Sequence, residues 1–395
     1  GGQNIAIGSD ALGNNVVGSY MTAVGFNALQ YSGQRGGATA NIFAVGIGTQ
    51  AGAYQTGSYN TFVGDYAGKG SQTSAPYGSG TALTAVGAYA LGNTVSGNYN
   101  TAIGYSAAGN MRSGSQNVAI GDRAISNSRG TFANVSIGNT TMYSATTSER
   151  NVAIGHQALY TTITGGSNIA IGYETMRFST GAENVSIGMD SMEQSGPASL
   201  TVGIGSNAGR YATGSYNTFV GGYAGQGGVT SAPYSSGQYN TALGYQALQN
   251  FTTGYENVAM GAESGRLLTT GYRNISIGYE ALEKGTSTYQ NVAIGYRALQ
   301  DATTDAINKM VAIGSNAAKD STAGLDCVAI GSAAGQKING NEVTVVGAGA
   351  GQYSEGGLNT FLGETAGNGD NGNTTGTSNT AVGKGALRVF TTGNQ

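Results

Sequence analysis

The hydrophobic positions of this chain recur in one short pattern: a β-branched residue, a small residue, an aliphatic residue, then glycine. Asn151-Val-Ala-Ile-Gly155, Asn168-Ile-Ala-Ile-Gly172 and Asn274-Ile-Ser-Ile-Gly278 are three of its 22 copies, which run from the one closed by Gly8 to the one closed by Gly383. The commonest step between these anchor glycines is 17 residues, as from Gly104 to Gly121. Self-similarity at such a period is the mark of a stacked repeat architecture. Three residues before the anchor stands Val, Ile or Thr, and directly before it Ile, Val, Leu or Met. This alternation predicts a five-residue strand with two stiff apolar positions on one face and a small one on the other. On that reading the threonines of the first column (Thr22, Thr61, Thr84, Thr101, Thr218, Thr241) point inward. The anchor itself suits a corner that needs φ > 0 or the close approach of a neighbouring coil.

After each anchor comes a second apolar site, as in Ala158-Leu159, Ala247-Leu248 and Ala298-Leu299. It predicts a second short strand whose Leu partly fills the interior. A polar turn such as Thr253-Gly254 leads to the next copy. The expected fold class is therefore all-β: a parallel β-solenoid, or β-roll, of about 22 coils. The chain reads as one repetitive rod over residues 1–395, on the order of 100 Å long at about 4.8 Å per coil. A longer period overlies the short one. Residues 48–77 closely match residues 205–234, and a weaker copy begins near Gly347, giving blocks near 48–204, 205–346 and 347–395. In these places the small mid-strand residue becomes Phe62, Phe219 and Phe361, and the corner that follows is longer.

Four residues before the anchor lies an asparagine column: Asn4, Asn60, Asn100, Asn117, Asn134, Asn151, Asn168, Asn184, Asn217, Asn240, Asn257, Asn274, Asn291, Asn359 and Asn379. Stacked coils superimpose these amides, so they are expected to bond one another or to cap the turn backbone. Amides without carboxylates beside them are poor metal ligands. Cys327 occupies the same column, as do Met310 and Val343, and reads as a substitution within a buried stack.

Composition sharpens this picture. Glycine is 70 of 395 residues, Trp is absent and charged residues are 9%, against about 7% Gly and about 25% charge in ordinary domains. Such a chain suits a thin core of small side chains. A net charge of −3 with regularly placed Val, Ile and Thr argues against disorder, which pairs high net charge with few β-branched residues. The 17 Lys and Arg are scattered, so no nucleic-acid footprint is expected. No run approaches the ~18 apolar residues of a membrane helix. One cysteine excludes an internal disulfide framework and a cysteine-built zinc site.

Catalytic chemistry is not expected, nor a cofactor. The single histidine, His156, follows an anchor directly, where other copies carry Tyr, Ser, Ala or Asp. Carboxylates such as Asp65, Asp122, Glu174, Glu280 and Glu364 fall singly on corners, without the repeated pair a glycosidase requires. The glycine-rich strings lack the Lys-Ser/Thr of a P-loop and the serial Gly-Gly-x-Gly-x-Asp of a calcium-binding solenoid. What remains for recognition is aromatic. Tyr105, Tyr173, Tyr245, Tyr279 and Tyr296 each follow an anchor, while Tyr77 and Tyr234 lie in the enlarged corners Ser74-Ala-Pro-Tyr77 and Ser231-Ala-Pro-Tyr234. A tyrosine stripe covers corners and also offers a platform for sugars.

The column pattern Asn-Val-Ala-Ile-Gly-x-x-Ala, over essentially the whole chain, resembles the head repeats of trimeric autotransporter adhesins, as also found in phage tail-fibre proteins. The present coil is usually 17 residues rather than about 14, which lengthens its corners. The resemblance implies a homotrimer of parallel β-coils with receptor-directed duty outside the cell, on a virion or bacterial surface, facing a host glycan or protein. The reading it favours is a structural and adhesive fibre segment, either a phage tail fibre or the head region of a surface adhesin. Less favoured are an ice-binding solenoid, which needs a flat threonine array, and a depolymerase tail spike.

Overall fold

A computed structural model describes residues 2–32, 43–70, 78–161, 164–228, 235–302, 307–369 and 375–389. The chain is all-β and forms a parallel β-solenoid with a repeat of about 17 residues. Its contacts divide it into two compact units, Gly1–Pro197 and Ala198–Gln395. The first holds eleven three-residue strands and the second eleven more, together with the two-residue pair Ile307–Asn308 and Gly324–Leu325. In each unit every three-residue strand pairs in parallel with the next one along the chain. The register puts like columns opposite each other: Ala153 faces Ala170, and Ile154 faces Ile171.

The strands are three residues long rather than five, and their faces are the reverse of those expected. The small middle residue points into the coil, where Ala23, Ala85, Ala153, Ala242 and Ala293 are fully buried. The β-branched residues on either side point out and stay half-buried or exposed, as in Val152–Ile154 and Thr101–Ile103. The threonines of the first column therefore face outward too, Thr218 being exposed. The reason is width. A coil this thin has room for a methyl or a hydroxyl beneath the strand, but not for two branched side chains per coil.

Among the described residues no second strand directly follows the anchor. The chain instead forms a ribbon of overlapping turns. In the coil that starts at Gly295, Arg297 and Leu299 take left-handed conformations with φ 55° and 53°. The Ala298 N–H closes a turn on the Gly295 carbonyl at 3.3 Å, whereas Leu299 and Asp301 donate to Ala317 and Lys319 of the next coil at 2.9 Å each. A third left-handed residue precedes the asparagine column in every coil, among them Tyr99, Arg150 and Glu256 (φ 60°, 57° and 55°). Each such residue costs about 1–2 kcal/mol. It persists because alternating αR and αL directs successive N–H groups along and across the stack, so the ribbon leaves few backbone groups unpaired.

This geometry turns the residue four after the anchor fully inward. Leu29, Leu91, Leu159, Leu248, Leu282 and Leu299 have no exposed surface, so leucine is a main component of the core rather than a partial filling. Where the mid-strand residue is Phe, the same coil carries Gly at this leucine position: Phe62 with Gly68, Phe219 with Gly225 and Phe361 with Gly367. A Cβ on any of these glycines would overlap the ring. Each unit has its own hydrophobic core built from these columns.

The anchor glycines satisfy both conditions for needing glycine. All 22 have φ between 120° and 144°. From Gly8 through Gly172 and from Gly205 through Gly363, a Cβ would collide with the backbone of the next anchor.

Candidate recognition surface

The asparagine column is the interior hydrogen-bonding spine of both units. Asn117 Nδ2 donates to Asn100 Oδ1 at 3.1 Å and to the Thr131 carbonyl at 2.9 Å, while its backbone N–H donates to the same Asn100 Oδ1 at 2.9 Å. The motif repeats through Asn134, Asn151, Asn168 and Asn184 in the first unit, and through Asn257, Asn274 and Asn291 in the second. Asn379 bonds Asn359 in the same way at 3.2 Å. Where the neighbour is not Asn, the amide binds turn backbone, as Asn60 does to Gly57 and Gly80 and Asn217 to Gly214 and Gly237. Asn4 bonds Gly18 and Met21, and Asn240 bonds Asn217 and Gly254. With both ends of the amide engaged, this column offers nothing to a ligand. Cys327 takes the same place: its Sγ accepts from the Val343 N–H at 3.4 Å and donates to the Gly340 carbonyl at 3.2 Å. Burial pushes its thiol pKa up, which keeps it protonated and unreactive.

The tyrosines that follow an anchor are exposed: Tyr105, Tyr173, Tyr245, Tyr279 and Tyr296 all have more than a third of their surface free. They do not form one stripe. Tyr279 stacks on Tyr296 at 5.7 Å, and Tyr173 stacks on His156 at 5.2 Å. Tyr105 and Tyr245 instead meet Tyr89 and Tyr223, one column over, edge to face at 6.0 Å. Hydrogen bonds to Glu174 and Glu280 raise the phenol pKa of Tyr173 and Tyr279. Tyr77 and Tyr234, with most of the enlarged corners, lie outside the described residues.

Further aromatic columns were not singled out in the sequence. Tyr20, Phe43 and Tyr59, just before the asparagine position, stack at 4.8 and 5.6 Å, and Tyr216 stacks on Tyr239 at 4.9 Å. Tyr255, Tyr272 and Tyr289, one residue earlier in the coil, stack at 5.0 and 5.1 Å. Each would have emerged from tabulating aromatic offsets against every anchor.

Stacking also gathers charges that look solitary in the sequence. In the second unit Glu280 accepts from Arg297 at 2.7 Å and from Gln300 at 2.6 Å, Gln300 also bonds Glu283 at 2.9 Å, and Glu283 pairs with Arg266. Burial works to raise the Glu280 pKa, but hydrogen bonds from Tyr279, Arg297 and Gln300 outweigh it and hold the carboxyl below its ordinary 4.5. A group whose folded pKa is depressed adds stability above its unfolded pKa and loses it as pH falls through the folded value. The thermal midpoint is accordingly expected to fall on acidification below about pH 4.5, and by less in Glu280→Gln. Equal acid sensitivity of the two proteins in melts from pH 6 to 3 would contradict this. The cluster is tied up in its own ion pairs. Among the described residues no group of His, Cys, Asp and Glu is arranged to hold a metal ion, and no helix is long and apolar enough to cross a membrane.

A recess in the first unit lies where three coils present Tyr66, Tyr89 and Tyr105 beside Lys69, Asn93 and Asn110, with a volume of about 490 Å³. In the second unit Tyr239 and Tyr255 flank a smaller recess of about 260 Å³. Compared with known proteins, the chain matches no family model, no curated protein and no solved structure.

Proposed function

We propose that this chain is a structural and adhesive fibre segment that works outside the cell as a homotrimer and carries no catalytic activity. The observation that carries the reading is the outward face of the strands. Every coil sets two aliphatic or threonine side chains there, in register with those of the next coil. With strands about 4.8 Å apart and alternate residues about 7 Å apart, eleven rungs make an apolar stripe on the order of 400 Å² in each unit. Patches of that size mark interaction surfaces. The stripe repeats one motif in constant register, so a second copy of the chain in the same register matches it, and closure about a three-fold axis leaves none of it bare. This accords with the trimeric fibres whose repeats the sequence resembles, on a phage tail or a bacterial surface. The site chemistry points the same way, since His156 packs on a tyrosine and the buried carboxylates Glu280 and Glu283 sit in ion pairs.

The test separates folding from assembly. Ile154 and Ile171 are half-exposed in the single chain, so Ile154→Asp with Ile171→Asp leaves each coil intact. In a trimer the same pair brings six carboxylates to a dry axis, at a cost of several kcal/mol. Light scattering is expected to give three times the chain mass for the wild type and one chain mass for the variant, with unchanged circular dichroism. A monomeric wild type, or a variant that still assembles, overturns the trimer.

Ice binding is the second reading, because Thr61, Thr84 and Thr101 do line up outwardly in register. The row gives way to Val118, Val135 and Val152, too short an array for a crystal face.

A further inference from the structure

One stretch of the corner surface differs from its neighbours, because the column five residues after the anchor loses its side chains at two consecutive coils, Gly92 and Gly109. From Tyr143 through Gln352 every coil carries a long side chain at that position, and Gly92 and Gly109 replace it. Their absence opens the 490 Å³ recess, within the range of small-ligand sites. Neither glycine has positive φ, so the backbone does not require them there.

What surrounds the gap has the chemistry of a sugar site. Tyr66 and Tyr89 lie parallel at 5.0 Å, and Tyr105 closes the row edge-on to Tyr89 at 6.0 Å. Tyr89 and Tyr105 are about half exposed (46% and 51%), giving apolar faces with hydroxyl tips of the kind that pack on the C–H face of a pyranose. Asn93 donates to Asn110 at 2.7 Å, which leaves the other half of each exposed amide directed to solvent for sugar hydroxyls. The charge is one-sided. Lys69 rests over the Tyr66 ring at 4.8 Å, Arg123 lies over Tyr105 at 5.8 Å, and no carboxylate lines the recess. Among the described residues neither cation has a salt-bridge partner.

We infer that the recess over Gly92 and Gly109 binds a carboxylate-bearing oligosaccharide, with a pyranose ring on Tyr89 and Tyr105 and its acid group directed to Lys69. The inference deepens the adhesive reading and rests on it only for its biological purpose, since the recess lies within one unit of one chain.

The experiment applies the intact chain to an array of neutral and carboxylate-bearing oligosaccharides, beside Tyr89→Ala, Gly92→Gln and Lys69→Gln. Gly92→Gln fills the recess with the residue that Gln226 and Gln249 place at the same position, so its coil remains an ordinary one. Wild type is expected to retain acidic glycans over their neutral counterparts. Tyr89→Ala and Gly92→Gln lower that retention about tenfold with unchanged circular dichroism, and Lys69→Gln removes the preference for the acid. No retention of acidic over neutral glycans by wild type, or full retention by folded Gly92→Gln, overturns the site. Attachment to host cells is scored separately: if it survives in Gly92→Gln while glycan binding is lost, the adhesive reading of this recess fails and the binding site stands.

Discussion

Gly155→Ala is expected to lower stability by about 3–5 kcal/mol, although it adds a single methyl group. Two effects combine. With φ at 132°, the residue occupies backbone space in which a side chain is strained, worth about 1–3 kcal/mol. The new Cβ also meets the carbonyl group of Gly172, with the carbonyl carbon 2.7 Å away. A backbone atom cannot rotate aside as a side chain can, so the neighbouring coil must shift, at about 1–3 kcal/mol more. That shift loosens the bond at this corner from the Gly155 N–H to the Ile137 carbonyl, now 2.8 Å. Gly130→Ala is the matched control. Its φ is not positive and a Cβ there meets nothing closer than 3.8 Å, so it should change stability by no more than about 0.5–1 kcal/mol, and in the favourable direction. Denaturation midpoints followed by circular dichroism compare the two. Equal stability of Gly155→Ala and wild type would mean that the stack relaxes at no cost, and the account of the anchor column would be wrong.

The second large effect lies in the core, and it is conditional. Phe219 is fully buried and packs on Phe251 at 5.5 Å, so Phe219→Ala alone should cost about 3–5 kcal/mol through lost burial and the cavity left behind. Gly225→Leu alone should be at least as damaging, because a Cβ there overlaps the Phe219 ring. Joined in one chain, the two substitutions recreate the ordinary coil, in which Ala242 sits under the strand and Leu248 fills the space beside it, both fully buried. Backbone conformation permits the exchange, since Gly225 has φ 52° and Leu248 has φ 49°. The double variant is therefore expected to regain more than half of the summed loss, a coupling well beyond the few tenths of a kcal/mol seen between independent sites. Simple additivity would refute the idea that Phe and Leu are alternative fillings of one volume.

The repeat, its period and the identity of each column were legible in the sequence, because a stack forces every coil to solve the same problem at the same position. Glycine at all 22 anchors is such a solution, and so is the asparagine spine, whose amides find partners only when each coil repeats the last. Which strand face turns inward was not legible. Ala153 and Ile154 are both apolar, so alternation identifies two faces without ranking them. The ranking comes from the width of the closed coil, a tertiary quantity that admits Ala153 and leaves Val152 and Ile154 outside. The turn ribbon was hidden for a related reason. Arg297 and Leu299 have no intrinsic preference for left-handed backbone and hold it because Tyr279 and Ala317 in the flanking coils bond their N–H groups. The recess beside Tyr89 depended on stacking as well. Gly92, Gly109 and Lys69 are far apart in sequence and share one column, so a gap there becomes a cavity only when the coils are laid on one another.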